Sequence, residues 1–208
     1  MFKSFQKINQ RGFGLMEVIV ALAVVTTGVI SGLTLTTYNL TSTVFSQRRL
    51  VAANLAREGI EVVRQIRDSN WLNGQDWNQG IAAPNEYRLT IDFDPALYDP
   101  AGSVWTFSPV TQTVDIEDCD DCLIYLDPDS GIYSHDSVGT PTSYKRLITI
   151  QEICWQDVVE DEVVLTAGSL CSDTPYELVG WQVNSQVTWA EAGREHQLSM
   201  IDQLYDWR

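Results

Sequence analysis

From Phe13 to Leu35 the chain runs for 23 residues of apolar or small side chains with a single charge, Glu17. A helix needs about 20 apolar residues to cross the hydrocarbon layer of a bilayer. The preceding segment, MFKSFQKINQRG, is polar and carries Lys3, Lys7 and Arg11. Positive charge flanking a span keeps that end in the cytoplasm. A cleaved secretory signal has a shorter apolar core with a small-residue cut site behind it, and this run is long with no clear site of that kind after it. A plain membrane anchor accounts for length and orientation but leaves Glu17 unexplained. A charge at the centre of a span costs about 2.5–3.5 kcal/mol on insertion scales, and less near the interface. The simplest account places Glu17 at headgroup level.

The residues around that glutamate say more. Arg11-Gly12-Phe13-Gly14-Leu15-Met16-Glu17, followed by Val18-Ile19-Val20-Ala21-Leu22, resembles the cleavage signal of type IV prepilins. In that family a basic leader ends in Gly, and a prepilin peptidase cuts after it at the cytoplasmic face. The new first residue, usually Phe, is N-methylated, and a glutamate follows four residues later. The resemblance implies cleavage between Gly12 and Phe13, N-methylation of Phe13, and a role for Glu17 in assembly. Gly14 stands where Ser or Thr is usual, and Met16 where Ile or Leu is usual. The match covers about residues 7–35. The segment Ala56–Leu72 also looks like the stretch that follows the anchor in many minor pilins. The partners implied are prepilin peptidase, other pilin or pseudopilin subunits, and the assembly machinery of the cytoplasmic membrane.

No proline occurs before Pro84, so nothing forces a helix break between residues 13 and 67. Ala52, Leu55, Ala56, Gly59, Val62, Val63 and Ile66 recur at three- and four-residue steps and form one apolar stripe. On another face, Arg57 with Glu61 and Arg64 with Asp68 are spaced for i,i+4 pairs. Beyond Trp71 the pattern turns to strands. Tyr87, Leu89, Ile91 and Phe93 alternate with polar residues. Leu123–Leu126 and Ile132–Tyr133 flank an Asp127–Gly131 turn, and Leu147–Trp155 is a further strand. Val179–Trp189 and His196–Met200 predict an antiparallel hairpin about Gly193. A helix followed by successive strands indicates α+β: a long N-terminal membrane-spanning helix packed on a C-terminal antiparallel sheet, which is also what the resemblance implies. The expected division is a leader at 1–12, a transmembrane or filament-core helix at 13–37, its amphipathic continuation at 38–70, and an acidic extracytoplasmic β-rich domain at 71–208.

The formal charge of −15 belongs to that last part, because most basic residues precede it. Nucleic acid is a poor partner for such a surface, since binding depends on neutralising phosphates. Cys119, Cys122, Cys154 and Cys171 all lie there. Zinc wants a second close pair, and a redox site wants a βαβ setting, so structural disulfides are expected. Three pairings are open; Cys119–Cys122 with Cys154–Cys171 is preferred.

Catalytic constellations are missing: there is no G-x-S-x-G, P-loop or H-E-x-x-H. His135 beside Asp136 reads as a surface histidine among acidic residues. Asp115–Asp121 and Asp127–Gly131 read as solvated acidic loops, because Gly131 comes one place early and Val138 stands where a calcium loop needs its bidentate Glu. No enzyme, cofactor or metal site is expected. The function expected is that of a structural subunit, a minor pilin or pseudopilin, of a type IV pilus, a type II secretion filament or a DNA-uptake filament. The alternative is a membrane-tethered extracytoplasmic domain that binds a ligand or catalyses a reaction.

Overall fold

The computed structural model describes residues 12, 14–81, 88–93, 105–110, 115–137, 139–157, 160–191 and 193–206. The leader up to Arg11, and Phe13, Tyr87, Val138 and Arg208, lie outside them. The chain divides into two compact units, residues 1–47 and 48–208. One helix, α1 (Leu15–Leu72), contributes to both. It is long and apolar enough near its start to cross a membrane.

Within the first unit nearly every described helical residue is exposed, including Leu15, Ile19, Leu22, Val25, Ile30 and Leu35. The Thr and Ser hydroxyls donate back to a carbonyl one turn earlier, at Thr26, Thr27, Ser31, Thr34, Thr36, Thr37, Thr41, Thr43 and Ser46. In the second unit α1 turns amphipathic. Ala52, Leu55, Ala56, Gly59, Val62, Val63 and Ile66 are all buried, as their spacing predicts. The helix stops in a Schellman turn. Gly74, at φ 69°, donates to Trp71 O and Gln75 donates to Asn70 O. The Asn70 amide then holds the following loop by bonds to Trp77 O and Gln79 O.

Eight strands are seen among the described residues: β1 (Arg88–Phe93), β2 (Trp105–Pro109), β3 (Leu123–Leu126), β4 (Tyr133–Ser134), β5 (Thr140–Gln156), β6 (Asp161–Val164), β7 (Glu177–Glu191) and β8 (Arg194–Tyr205). All pairings are antiparallel. The central strand is β5, and it begins seven residues earlier than the sequence pattern suggested. Its one long edge is taken by β7. Its other edge is shared in turn by β3, β1 and β6. The predicted hairpin is β7–β8, twelve pairs in unbroken register, with Gly193 at φ 75° in the turn. Tyr87 aside, the expected first strand is β1.

One face of the sheet packs on α1. Ile60, Val63 and Ile66 meet Leu89, Ile91, Ile148, Ile150, Trp181 and Val183 in a single buried cluster. The polar face of α1 differs from expectation. Arg64 reaches Glu61 at 2.7 Å and Asp202 of β8 at 2.5 Å, and Arg67 pairs with Asp68. The anticipated Arg64–Asp68 pair is replaced because Asp202 offers Arg64 a carboxylate from the sheet.

Gly59 sits where α1 comes closest to β7. A Cβ there would stand 2.5 Å from Ser185 Oγ and 3.2 Å from Ile148 Cδ1. Alanine in place of glycine would otherwise stabilise a helix by about 1 kcal/mol. Overpacking a tight contact costs about 1–3 kcal/mol, so Gly59→Ala should lower the unfolding midpoint of the full chain in detergent. Combining it with Ser185→Ala should recover part of the loss. Strict additivity of the two changes would mean that the hydroxyl is not the obstacle.

Candidate processing and assembly site

Of the candidate processing residues, Gly12 is described and lies just before α1. Gly12 and Gly14 are exposed, and no atom crowds either. The helix begins at Leu15, which makes Gly14 its N-cap. Its carbonyl accepts from Glu17 N at 3.0 Å and Val18 N at 3.2 Å. Glycine is tolerated at an N-cap nearly as well as serine or threonine, so the departure from the usual residue costs little here. Glu17 lies in the first turn, exposed, among the unpaired N–H groups where the helix dipole favours negative charge. That local stabilisation was not legible as a motif, because the cap is glycine and not Ser or Thr. Phe13 lies outside the described residues. A helical turn joining its amine to Glu17 is therefore a property to be sought in the processed chain.

In the second unit, Cys119 is joined to Cys122 and Cys154 to Cys171. The first bridge follows the 3₁₀ turn Ile116–Asp118 and packs with that turn's Ile116 and with Val110 and Leu147 on the sheet face opposite α1. The second ties the end of β5 to the 3₁₀ turn Cys171–Asp173. Glu152, Cys154 and Cys171 form one group of possible metal ligands among the described residues. Both sulfurs there are in the bridge, and the Glu152 carboxylate accepts from Cys171 N at 2.5 Å. The Asp127 carboxylate is satisfied within its own turn by Ser130 Oγ and Asp129 N, which hold it below its ordinary range. In the Asp115–Asp121 loop, Glu195 lies beside Glu117 and raises its carboxyl.

His135 is not a surface histidine: its side chain is only 3% exposed. The reason is non-local. Among the described residues β1 pairs with β5 only at Arg88–Thr149 and Leu89–Ile148, and β3 takes over the same edge of β5. Two residues further on, the same register would have paired Ile91 with Arg146, but Arg146 N donates to Cys122 O instead. The imidazole sits in this seam, its Nδ1 2.7 Å from Ile91 O, while the backbone N–H of His135 donates to Asp92 Oδ1. Burial, then the Arg146 charge, push its pKa down to about 3, only partly offset by the Ile91 and Arg146 backbones. The ring is thus neutral at pH 7, and Nδ1 carries the proton that Ile91 O accepts.

Arg146 is fully buried. Its Nη1 donates to Glu58 at 3.0 Å and to Leu55 O at 3.3 Å, across to α1. Burial lowers its pKa and Glu58 opposes that shift. An arginine stays charged under such a shift. A buried cation with one anionic partner depends on that partner. Nothing in the sequence marks this pair, since Glu58 and Arg146 are 88 residues apart.

Two outcomes follow. Glu58→Ala should destabilise the folded chain by about 3 kcal/mol, because it strands Arg146. Replacing the pair together, Glu58→Leu with Arg146→Met, should cost less than Glu58→Ala alone in the same denaturation assay. Separately, a histidine kept neutral by folding binds its proton more readily when unfolded, so stability is lost as pH falls from about 6.5 toward about 3. The slope is at most about 1.4 kcal/mol per pH unit. His135→Asn should flatten the difference between pH 6 and pH 4, and an unchanged slope would assign that acid sensitivity to the carboxylates.

No protein-family model, no curated protein and no solved structure matches the chain. The chain has an α+β fold: one long N-terminal helix, apolar in its first part, whose later part packs on an antiparallel sheet stapled by two disulfides.

Proposed function

We propose that the chain is a type IV pilin-like structural subunit, a minor pilin or pseudopilin. It is made as a membrane-anchored precursor, cut after Gly12 and then packed into a filament. The observation that carries this reading is α1. Its first part is apolar and exposed on all sides, and its first turn holds the one charge, Glu17. Its second part serves as the spine of a disulfide-bonded sheet domain. An anchor alone needs neither the Gly-Phe junction nor the glutamate. The disulfides fit an oxidising extracytoplasmic compartment. In a filament, Glu17 paired with the Phe13 amine of a neighbour would fix axial register between apolar helices that otherwise slide with little penalty. Buried pairs serve specificity better than net stability.

Cleavage removes Lys3, Lys7 and Arg11, so the formal charge moves by three, from −15 to −18. Intact-mass analysis of the mature protein should find residues 1–12 gone and one methyl added at Phe13. A mature chain that keeps its leader would sink the reading. Glu17→Ala should insert and be cut normally, yet enter filaments about tenfold less well or worse, since an unpaired charge in an apolar core costs about 3–5 kcal/mol. Glu17→Gln should behave alike. Wild-type incorporation would return Glu17 to the headgroup level.

A further inference from the structure

The sheet face opposite α1 has a composition that solubility does not require. An acidic domain in water keeps soluble with charged side chains. Here the cross-strand rows of β5, β7 and β8 present mainly amides and hydroxyls, with Lys145 at the end of the Thr188–Gln197 row. Thr149 lies beside Asn184, Gln186 beside Ser199, and Thr188 beside Gln197. Asparagine is not a residue that strands favour. Some of these amides are already committed, Gln182 Nε2 to Gln151 Oε1 and Gln151 Nε2 to Leu165 O. Gln197 Nε2 lies 3.5 Å from Ser199 Oγ, while Asn184 Oδ1 is buried without a partner among the described residues.

The loop bearing the Cys119–Cys122 bridge lies over this face and leaves two clefts, one of about 410 Å³ and one of about 170 Å³, with Glu117 lining both. The larger falls in the range of small-ligand sites, about 300–1,000 Å³. Thr149, Gln186 and Gln197 supply its polar side chains, and Ile116, Leu147 and Ala167 its apolar ones. Its charged residues are Arg88, Asp115 and Glu117, of both signs, so no strong field of one sign selects an ion.

We propose that this cleft binds a neutral, extended glycan. A primary amide holds a donor and an acceptor side by side, which matches two adjacent sugar hydroxyls. The apolar residues suit the C–H faces of the ring. A neutral polyol also avoids the repulsion that the acidic domain imposes on anions. The inference stands whether or not the chain assembles into filaments.

The test uses the full chain in detergent micelles, titrated with linear neutral hexasaccharides of gluco, manno and xylo configuration. An acidic oligouronide and a Ser/Gln-rich peptide serve as comparison probes. The readout is the side-chain amide NMR signals of Gln186 and Gln197. At least one neutral hexasaccharide should shift both signals at millimolar concentration. Gln186→Ala and Gln197→Ala should each weaken that binding about tenfold, the loss of roughly one hydrogen bond, with the unfolding midpoint unchanged. The proposal is overturned if no neutral oligosaccharide shifts these signals, if the uronide or the peptide binds in their place, or if the alanine variants bind as the wild type does.

Discussion

Where Gly59 faces Ser185, the helix and sheet approach until only a hydrogen atom separates the glycine Cα from the hydroxyl. That contact governs its surroundings. Ile60, Val63 and Ile66 can reach Ile148, Ile150 and Val183 only because the backbone between them comes so close. One residue before Gly59, Glu58 reaches over the same approach to Arg146. A wider gap would leave the guanidinium buried without its anion, a worse state than losing a few apolar contacts. Close packing and charge pairing therefore reinforce each other at one point of the helix. The rest of the sheet hangs from β5, which is held there.

What could be read from the sequence was what depends on period and on local breakers. The buried stripe of α1 follows from three- and four-residue spacing in a stretch without proline. The β7–β8 hairpin follows from alternation about Gly193. What escaped was set by residues far apart. β5 began earlier than expected because Pro141, Lys145 and Arg146 do not read as an inner strand. His135 looked solvent-facing because its neighbours in sequence are polar, yet the divergence of β1 from β5 encloses it. Arg64 chose Asp202 over the residue one turn away. The cysteine spacing left three pairings open, and only the positions of β5 and the 3₁₀ turn after β6 show which sulfurs meet. The candidate assembly residues were legible as a motif, but the cap that supports Glu17 became visible only with the first turn of α1.

The two faces of the sheet divide the chemistry of the domain. Toward α1 it is largely apolar, with Ser185 against Gly59, Asp202 against Arg64 and the buried Arg146 against Glu58. Away from α1 it carries amides and hydroxyls beneath a disulfide-closed loop. The acidic charge sits mainly in turns and loops such as Asp115–Asp121 and Asp127–Asp129. A domain built this way can tolerate change in its loops while the two faces of β5 stay under separate constraints.

The back-bonded hydroxyls of α1 have a consequence for how that helix behaves in different media. From Thr26 to Ser46, nine side chains that would ordinarily ask their surroundings for a hydrogen-bond partner take one from their own backbone. In hydrocarbon an unsatisfied polar group costs several kcal/mol, and in a helical bundle it would demand a matching acceptor. A segment that brings its acceptors with it asks neither of its neighbours. Transferred from lipid to a bundle of other helices, it would exchange one set of van der Waals contacts for another and leave its polar bonds untouched. The segment is in that sense indifferent to its solvent, and its threonines mark it as portable.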